Sequence, residues 1–333
     1  MWTPETRALV GDYGSGQALS DEQYRLLEPL IPAAKPGGHP RTTDMRRLLD
    51  GLFYLVRTGC QWRHLPPPPA FPPWPTVYGY MRAFIRDGVW ESIRHHIVVM
   101  LREGAGREPS PTAAILDTQS VKTTESGGPR GYDAAKKVKG RKRHFAVDTQ
   151  GLLLGVLVHA ASIQDADSAG DLLRRIKPLY NWLRAVFADS IYDRLAVLLA
   201  CFLLGLTLIV VRRVAGTKGF VLLPRRWVVE RTIGWLGRWR RLSKDYEQRP
   251  EVAEAMVTLA MIRLMLHRLV HPNPSWTPRI TKQLKCLTES GKIPARGTTP
   301  RRVLENSLVY GLNSEFEVSG PLRTTRSLRL GQA

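Results

Sequence analysis

The run Ala113-Ala114-Ile115-Leu116-Asp117 decides the fold. Small and apolar residues that end on an acid read as a buried strand with a carboxylate at its tip. The same arrangement recurs at Ala185-Val186-Phe187-Ala188-Asp189. A desolvated carboxylate needs a metal, a cation or hydrogen bonds to stay charged, so two such strand tips point to a shared site. A third acid, Glu230, lies in a helical segment crowded with Arg225, Arg226, Arg231, Arg238, Arg240 and Arg241. Three carboxylates from separate segments offer the hard oxygens that magnesium prefers, and two ions so held can activate a water or a 3′-hydroxyl. Taken singly, Asp117 also reads as a turn acid, Asp189 as a helix cap and Glu230 as a surface ion-pair partner.

Working outward, Thr112 to Leu116, His144 to Asp148 and Leu152 to His159 read as strands, the last two joined by a turn at Thr149-Gln150-Gly151. Asp167 to Ile176 is a helix and Ala185 to Ala188 a fourth strand. Leu195 to Val211 is almost wholly apolar but falls short of a membrane span, and Gly205 divides it into a buried helix and a buried fifth strand. Trp227 to Leu242 and Val252 to Leu269 are helices. On the first, Val229, Ile233 and Leu236 form a packed side that leaves Glu230 free to face the sheet edge. The order describes an α/β domain with a mixed five-stranded sheet, flanking helices and acids at strand ends.

Upstream, Ser20-Asp21-Glu22-Gln23 is a capping box that starts a helix through Leu30. Residues 45, 48, 49, 52, 55 and 56 form a helical stripe ended by Gly59, and Thr76 and Trp90 open two more helices. This gives a flexible start over 1–18, a small all-helical unit over 19–104, the α/β domain over 105–270 and a basic, low-order extension over 271–333. The helical unit suits either helix-turn-helix-like DNA binding or a scaffolding role.

Forty-nine Lys plus Arg oppose 29 Asp plus Glu, a formal net charge of +20, which suits a polyanionic partner. Arg130, Lys136, Lys137, Lys139, Arg141, Lys142 and Arg143 concentrate this charge in what reads as a loop before the second strand, able to lie along phosphates. Arg226, Arg231, Arg238, Arg240 and Arg241 extend the DNA-binding set. Trp227, Trp235 and Trp239 sit at core-like helical spacing, with Trp239 the best placed to stack on an extruded base. Cys60, Cys201 and Cys286 form neither a disulfide framework nor a zinc pattern, which fits a reducing cytoplasm. The N-terminus has no signal-peptide pattern, and no nucleotide-binding phosphate loop occurs.

These segments resemble the bacterial insertion-sequence transposases of the DDE class, specifically the insertion-sequence-five family within the IS4/IS5-like group, over roughly residues 19 to 269. Residues 115–124 (Ile-Leu-Asp-Thr-Gln-Ser-Val-Lys-Thr-Thr), 127–134, 137–144, 223–232 and 240–247 carry the resemblance, with 19–23 and 57–63 at the N-terminal end. The resemblance implies an RNase H-like catalytic domain behind a helical DNA-binding domain. It implies a triad of Asp117, Asp189 and Glu230, and magnesium or manganese as cofactor, with two ions expected. Its substrates would be the element's terminal inverted repeats and a target duplex, cut and then joined, by a homodimer or higher oligomer on DNA at the bacterial nucleoid. No membrane or nucleotide cofactor is expected. A nuclease without strand joining, or an inactive DNA-binding product of a decayed element, are the rival readings. The family pattern has glycine where Ile191 stands in Asp189-Ser190-Ile191-Tyr192, so a strained turn behind the second acid is expected. In the wider signature Arg226 and Glu230 fit, Leu223 takes the Tyr step and Gly237 the Lys step.

Overall fold

A computed structural model describes residues 18–34, 37, 40–125, 127–212 and 225–272. The expected N-terminal segment to residue 17, the motif residue Leu223 and the extension from 273 onward lie outside the described residues. In the helical region, α1 (Asp21–Leu27) begins with the capping box, Ser20 and Gln23 each satisfying the other's backbone N–H. The next helix, α2 (Met45–Thr58), is capped by the Asp44 side chain and stopped by Gly59 at φ 72°. A side chain at Gly59 would also press on Arg240, its Cβ coming to 3.1 Å. Two further helices, α3 (Trp74–Arg86) and α4 (Val89–Gly104), complete the region.

The sheet contains six strands: β1 (Ala113–Lys122), β2 (Gly131–Asp133), β3 (Val138–Val147), β4 (Leu153–Ala160), β5 (Ala185–Ala188) and β6 (Thr207–Val210). β1 is central. It pairs antiparallel with β3 on one side and parallel with β5 on the other, and β5 in turn runs parallel to β6. β2 and β4 both pair with β3. Between strands lie α5 (Asp165–Ile176) and α6 (Leu195–Leu203), followed by α7 (Trp227–Leu236) and α8 (Pro250–Val270). The mixed sheet with flanking helices behind a small helical region is the expected RNase H-like architecture. The sequence reading missed the short β2 and began β3 six residues late. It also ran α7 through a segment that leaves the helix at Gly237 and tightens into a 3-10 turn at Arg240–Leu242.

One helix ties the parts together. α8 is buried nearly all round, through Val252, Ala253, Met256, Val257, Leu259, Ala260, Ile262 and Leu266 among others, as expected of a helix at the centre of a protein. It packs on β4 and also on α1, α2, α3 and α4. The helical region and the sheet therefore share one continuous core.

From Val138 onward the basic run is strand β3, which corrects its reading as a loop; Lys136 and Lys137 remain in the turn between β2 and β3. Side chains alternate across a strand, so Arg141 and Arg143 leave one face of β3 while Lys142 and His144 leave the other. Arg141 is fully buried and donates to the Asp245 carboxylate at 3.2 Å and to the backbone oxygens of Pro129, Glu247 and Gln248 at 2.8 Å each. Arg143 donates to Leu242 O at 2.8 Å and Lys244 O at 3.1 Å. These guanidinium groups hold the stretch that leads from α7 into α8. Gly128 permits the same close approach, since a Cβ there would lie 1.9 Å from Gln248 O.

The apolar block at 195–211 is a helix and a strand, but neither is buried as expected: β6 has no buried residue, and Ile209 is exposed. Val197, Ala200 and Cys201 of α6 face inward, Ala200 meeting α5 at Gly170, while Leu195 and Phe202 are each 80% exposed. Among the described residues no helix is long and apolar enough to cross a membrane.

The Arg141–Asp245 pair generates a stability prediction. Asp245→Ala leaves a buried guanidinium without its carboxylate, so it should destabilise the protein by about 3–5 kcal/mol. A urea midpoint within error of the parent's would show that the pair does not anchor this segment.

Candidate active site

Parallel pairing sets Ala113, Ala114 and Ile115 of β1 beside Ala185, Val186 and Phe187 of β5. Two residues further along each chain come Asp117 and Asp189. Asp189 directly follows β5, as expected, but Asp117 is not at a strand tip: β1 continues past Leu116 to Lys122, so the acid lies in mid-strand where the parallel pairing ends. Asp117 Oδ1 accepts from the Thr118 N–H at 2.8 Å. Asp189 Oδ1 accepts from the Ile191 N–H at 3.0 Å and so caps the 3-10 turn Ser190–Tyr192. That turn corrects the expectation of strain. Ile191 is in a 3-10 helical turn with its side chain exposed, and the only non-glycine residues at positive φ among those described are Lys137 and Arg225.

Glu230 comes from the first turn of α7, and Arg226, just before that helix, links it to the strands. The guanidinium of Arg226 lies 3.7 Å from Asp189 and 3.6 Å from Glu230. Arg225 precedes it at φ 65°, with its guanidinium 4.5 Å from the Phe187 ring centroid on β5. The start of α7 is thus strapped across the end of the parallel pair by two consecutive arginines.

Burial dominates the electrostatics of Asp117 and pushes its carboxyl up to about 6, with the neighbouring Asp189 acting in the same direction. The Thr118 N–H and the charges of Arg226 and Lys136 oppose the shift. Carboxylate oxygens are the hard donors that suit a hard cation. The donor chemistry of Asp117 and Asp189 therefore fits magnesium or manganese. Glu230 joins them through Arg226, and among the described residues no three His, Cys, Asp or Glu side chains are gathered closely enough to hold an ion.

The expected basic residues divide into two groups. Arg130, Lys136, Lys137, Lys139, Arg238 and Arg240 are exposed. Arg141, Lys142 and Arg143 are buried with partners inside the chain, and so is Arg241, whose Nε lies 2.7 Å from Glu247. These four cannot lie along a phosphate backbone without unfolding their surroundings. Arg231 sits 4.4 Å from the Trp227 ring centroid and 4.6 Å from that of Trp235, and donates to Gln150 O at 3.0 Å. Trp239 is only 6% exposed, with Arg57 over its ring, so it belongs to the core and offers no face to a base.

Sequence reasoning missed a buried polar set behind the acids. Thr118 donates to Asp165 at 2.7 Å, and Lys142 pairs with the other oxygen of Asp165 at 2.7 Å. Tyr192 lies close by, its hydroxyl pKa held well above the ordinary value by burial and by Asp165, Asp117 and Asp189. His144 is pushed down to about 3 by burial and by the neighbouring His159. The period-two alternation of Lys142 and His144 was the available signal, hidden by reading the run as a loop.

Comparison with known proteins agrees with this architecture. The family described as "Transposase DDE domain" matches residues 108–265, and that described as "Putative transposase of IS4/5 family" matches residues 19–94. The chain is 26% identical over 113 residues to the uncharacterized 16.2 kDa protein of insertion element IS402 from Burkholderia cepacia, covering 33% of this chain and 76% of that one. It is 30% identical over 139 residues to the putative transposase for insertion sequence element IS402 of the same organism, covering 40% of this chain and 64% of that relative. Two adjoining family matches, laid over the helical region and over the sheet that carries Asp117 and Asp189, agree with each other, and the chain belongs to the IS4/IS5 family of DDE transposases.

Proposed function

We propose that the chain cuts DNA at the ends of its mobile element and joins the freed 3′-hydroxyl to a target duplex. The observation that carries this reading is the placing of Asp117, within β1, beside Asp189, just past the parallel strand β5, with Glu230 tied to Asp189 through Arg226. Asp117, Asp189 and Glu230 would hold two magnesium or manganese ions. Bound there, the metal would supply positive charge to a phosphate oxygen and strengthen the attacking water or hydroxyl. Arg226 neutralises the acids until then, and its guanidinium can turn to a DNA phosphate once a metal replaces it. Exposed Arg130, Lys137, Lys139, Arg238 and Arg240 would hold the backbone without reading sequence. The helical region would add DNA contacts, and a second copy of the chain would bring the two element ends together at the nucleoid.

Asp117→Asn should abolish Mn²⁺-dependent cleavage and joining of element-end DNA while duplex affinity stays at the parent level or rises slightly. Equal loss of binding and cleavage in a folded variant would argue against a metal role. Cleavage without end-specific joined product in the parent would favour a plain nuclease, and binding with neither product an inactive DNA-binding protein.

The surface charges give a separate test. Lys137→Glu with Lys139→Glu should flatten the slope of log affinity against log salt by about two, one for each lost phosphate contact. A slope equal to the parent's would turn this edge of the sheet away from DNA.

Asp117 also predicts a pH dependence. Its folded pKa of about 6 lies above the ordinary 3.8, so the folded state holds this proton more tightly than the unfolded chain. Stability is therefore lost as pH rises from near 4 through 6, by roughly 1–3 kcal/mol in the absence of divalent cation. Asp117→Asn should raise Tm at pH 7.5 without metal, and the gain should shrink towards pH 4. A pH-independent difference would assign the effect to packing.

A further inference from the structure

Asp117 is held by a side chain on the opposite face of the sheet. The Thr118 N–H donates to Asp117 Oδ1 at 2.8 Å, so the orientation of peptide 117–118 aims the carboxylate. Two groups fix the rest of residue 118. Its hydroxyl donates to Asp165 Oδ2 at 2.7 Å, and its carbonyl oxygen accepts from Lys136 Nζ at 3.1 Å. Asp165 is the first residue of α5, where the helix end favours a negative charge. Its other oxygen lies 2.7 Å from Lys142 Nζ, and that ammonium also donates to Ile163 O at 2.9 Å. Thr118, Lys142 and Asp165 are all buried.

Such a pair is an expensive way to fill an interior, because apolar residues of similar volume often stabilise as well or better. Its directional bonds offer what an apolar filling lacks, which is a fixed orientation for the strand residue they grip. A hydrogen bond to a hydroxyl at residue 118 is also unnecessary for the sheet itself, since β1 and β3 already pair through their backbones here.

We propose that Asp165, charge-balanced by Lys142, is a positioning residue that acts through the Thr118 hydroxyl to aim the Asp117 carboxylate at the metal. The inference rests on the reading of Asp117 as a metal ligand. Asp165 touches neither DNA nor the ion. Its effect is on the geometry of the first acid, and groups behind a ligand typically change metal affinity by about 10–100-fold when removed.

The test uses the full chain and Mn²⁺ titrated by its EPR signal without DNA, alongside single-turnover cleavage of element-end duplex. Thr118→Val keeps the shape and removes the hydroxyl, and should weaken Mn²⁺ binding about tenfold and slow cleavage while duplex affinity holds. Thr118→Ser, which restores the donor, should recover both. Asp165→Leu, which removes both acceptor oxygens, should resemble Thr118→Val, and the double variant should be little worse than either alone, because both substitutions break one connection. Should Asp165→Leu fail to fold, the contrast between valine and serine at 118 decides. Parent-like Mn²⁺ affinity in Thr118→Val, or additive losses in the double variant, would overturn the positioning role. If Asp117→Asn itself leaves Mn²⁺ affinity unchanged, the metal-site reading falls, and this proposal falls with it.

Discussion

The rest of the structure depends on the burial of Arg141. A guanidinium has five N–H donors and cannot shed its charge, so an interior site must supply acceptors in several directions. Here they come from Asp245 and from the backbone of Pro129, Glu247 and Gln248, which binds the turn before β2 and the approach to α8 onto the middle of β3. Because β3 pairs with β1 over residues 115–122, that anchoring also sets what lies beside the strand that carries Asp117. Removing the anchor would release the start of α8, the helix around which the helical region and the sheet share their core.

The site obeys the opposite rule from the core. Inside β3 every buried cation has a partner at hydrogen-bonding distance, whereas Asp189 and Glu230 are balanced loosely, by one arginine at 3.7 and 3.6 Å. Arg226 balances Asp189 and Glu230 without the short contacts that would make its displacement costly. A cation held in that way is exchangeable, as the proposed function would require of it.

Much of this was legible in the sequence, for identifiable reasons. The strand at 185–188, the capping box at Ser20 and the helix stop at Gly59 depend on local chemistry and appear where expected. The first strand was only half legible, because Asp117 and the polar residues after it read as the end of a buried run, whereas β1 continues to Lys122 through backbone pairing with β3. The basic run was misread because composition reports charge and is silent about burial. Arg141 looks like a phosphate ligand until Asp245 and the carbonyls around it are known, and those lie about a hundred residues away. Trp239 failed for a related reason, since the helix of which it was to be the exposed end stops at Gly237 and turns the ring inward. At Ile191 the family's glycine suggested a need that the 3-10 turn does not impose.

That distinction changes the meaning of the net charge of +20. Arg102, Arg141, Lys142 and Arg241 are spent on Asp148, Asp245, Asp165 and Glu247 within the interior, one for one. These pairs sum to zero, so they leave the surplus untouched, to be carried by the remaining residues such as Arg130, Lys137, Lys139, Arg238 and Arg240. Under the proposed function, a phosphate backbone approaching the acids would meet that positive field first and the carboxylates only at contact range. Acids that would repel DNA on a neutral protein would be tolerable here, because most of that field does not draw on the charges that hold the fold together; Arg143, buried against the Leu242 and Lys244 carbonyls, is one that does.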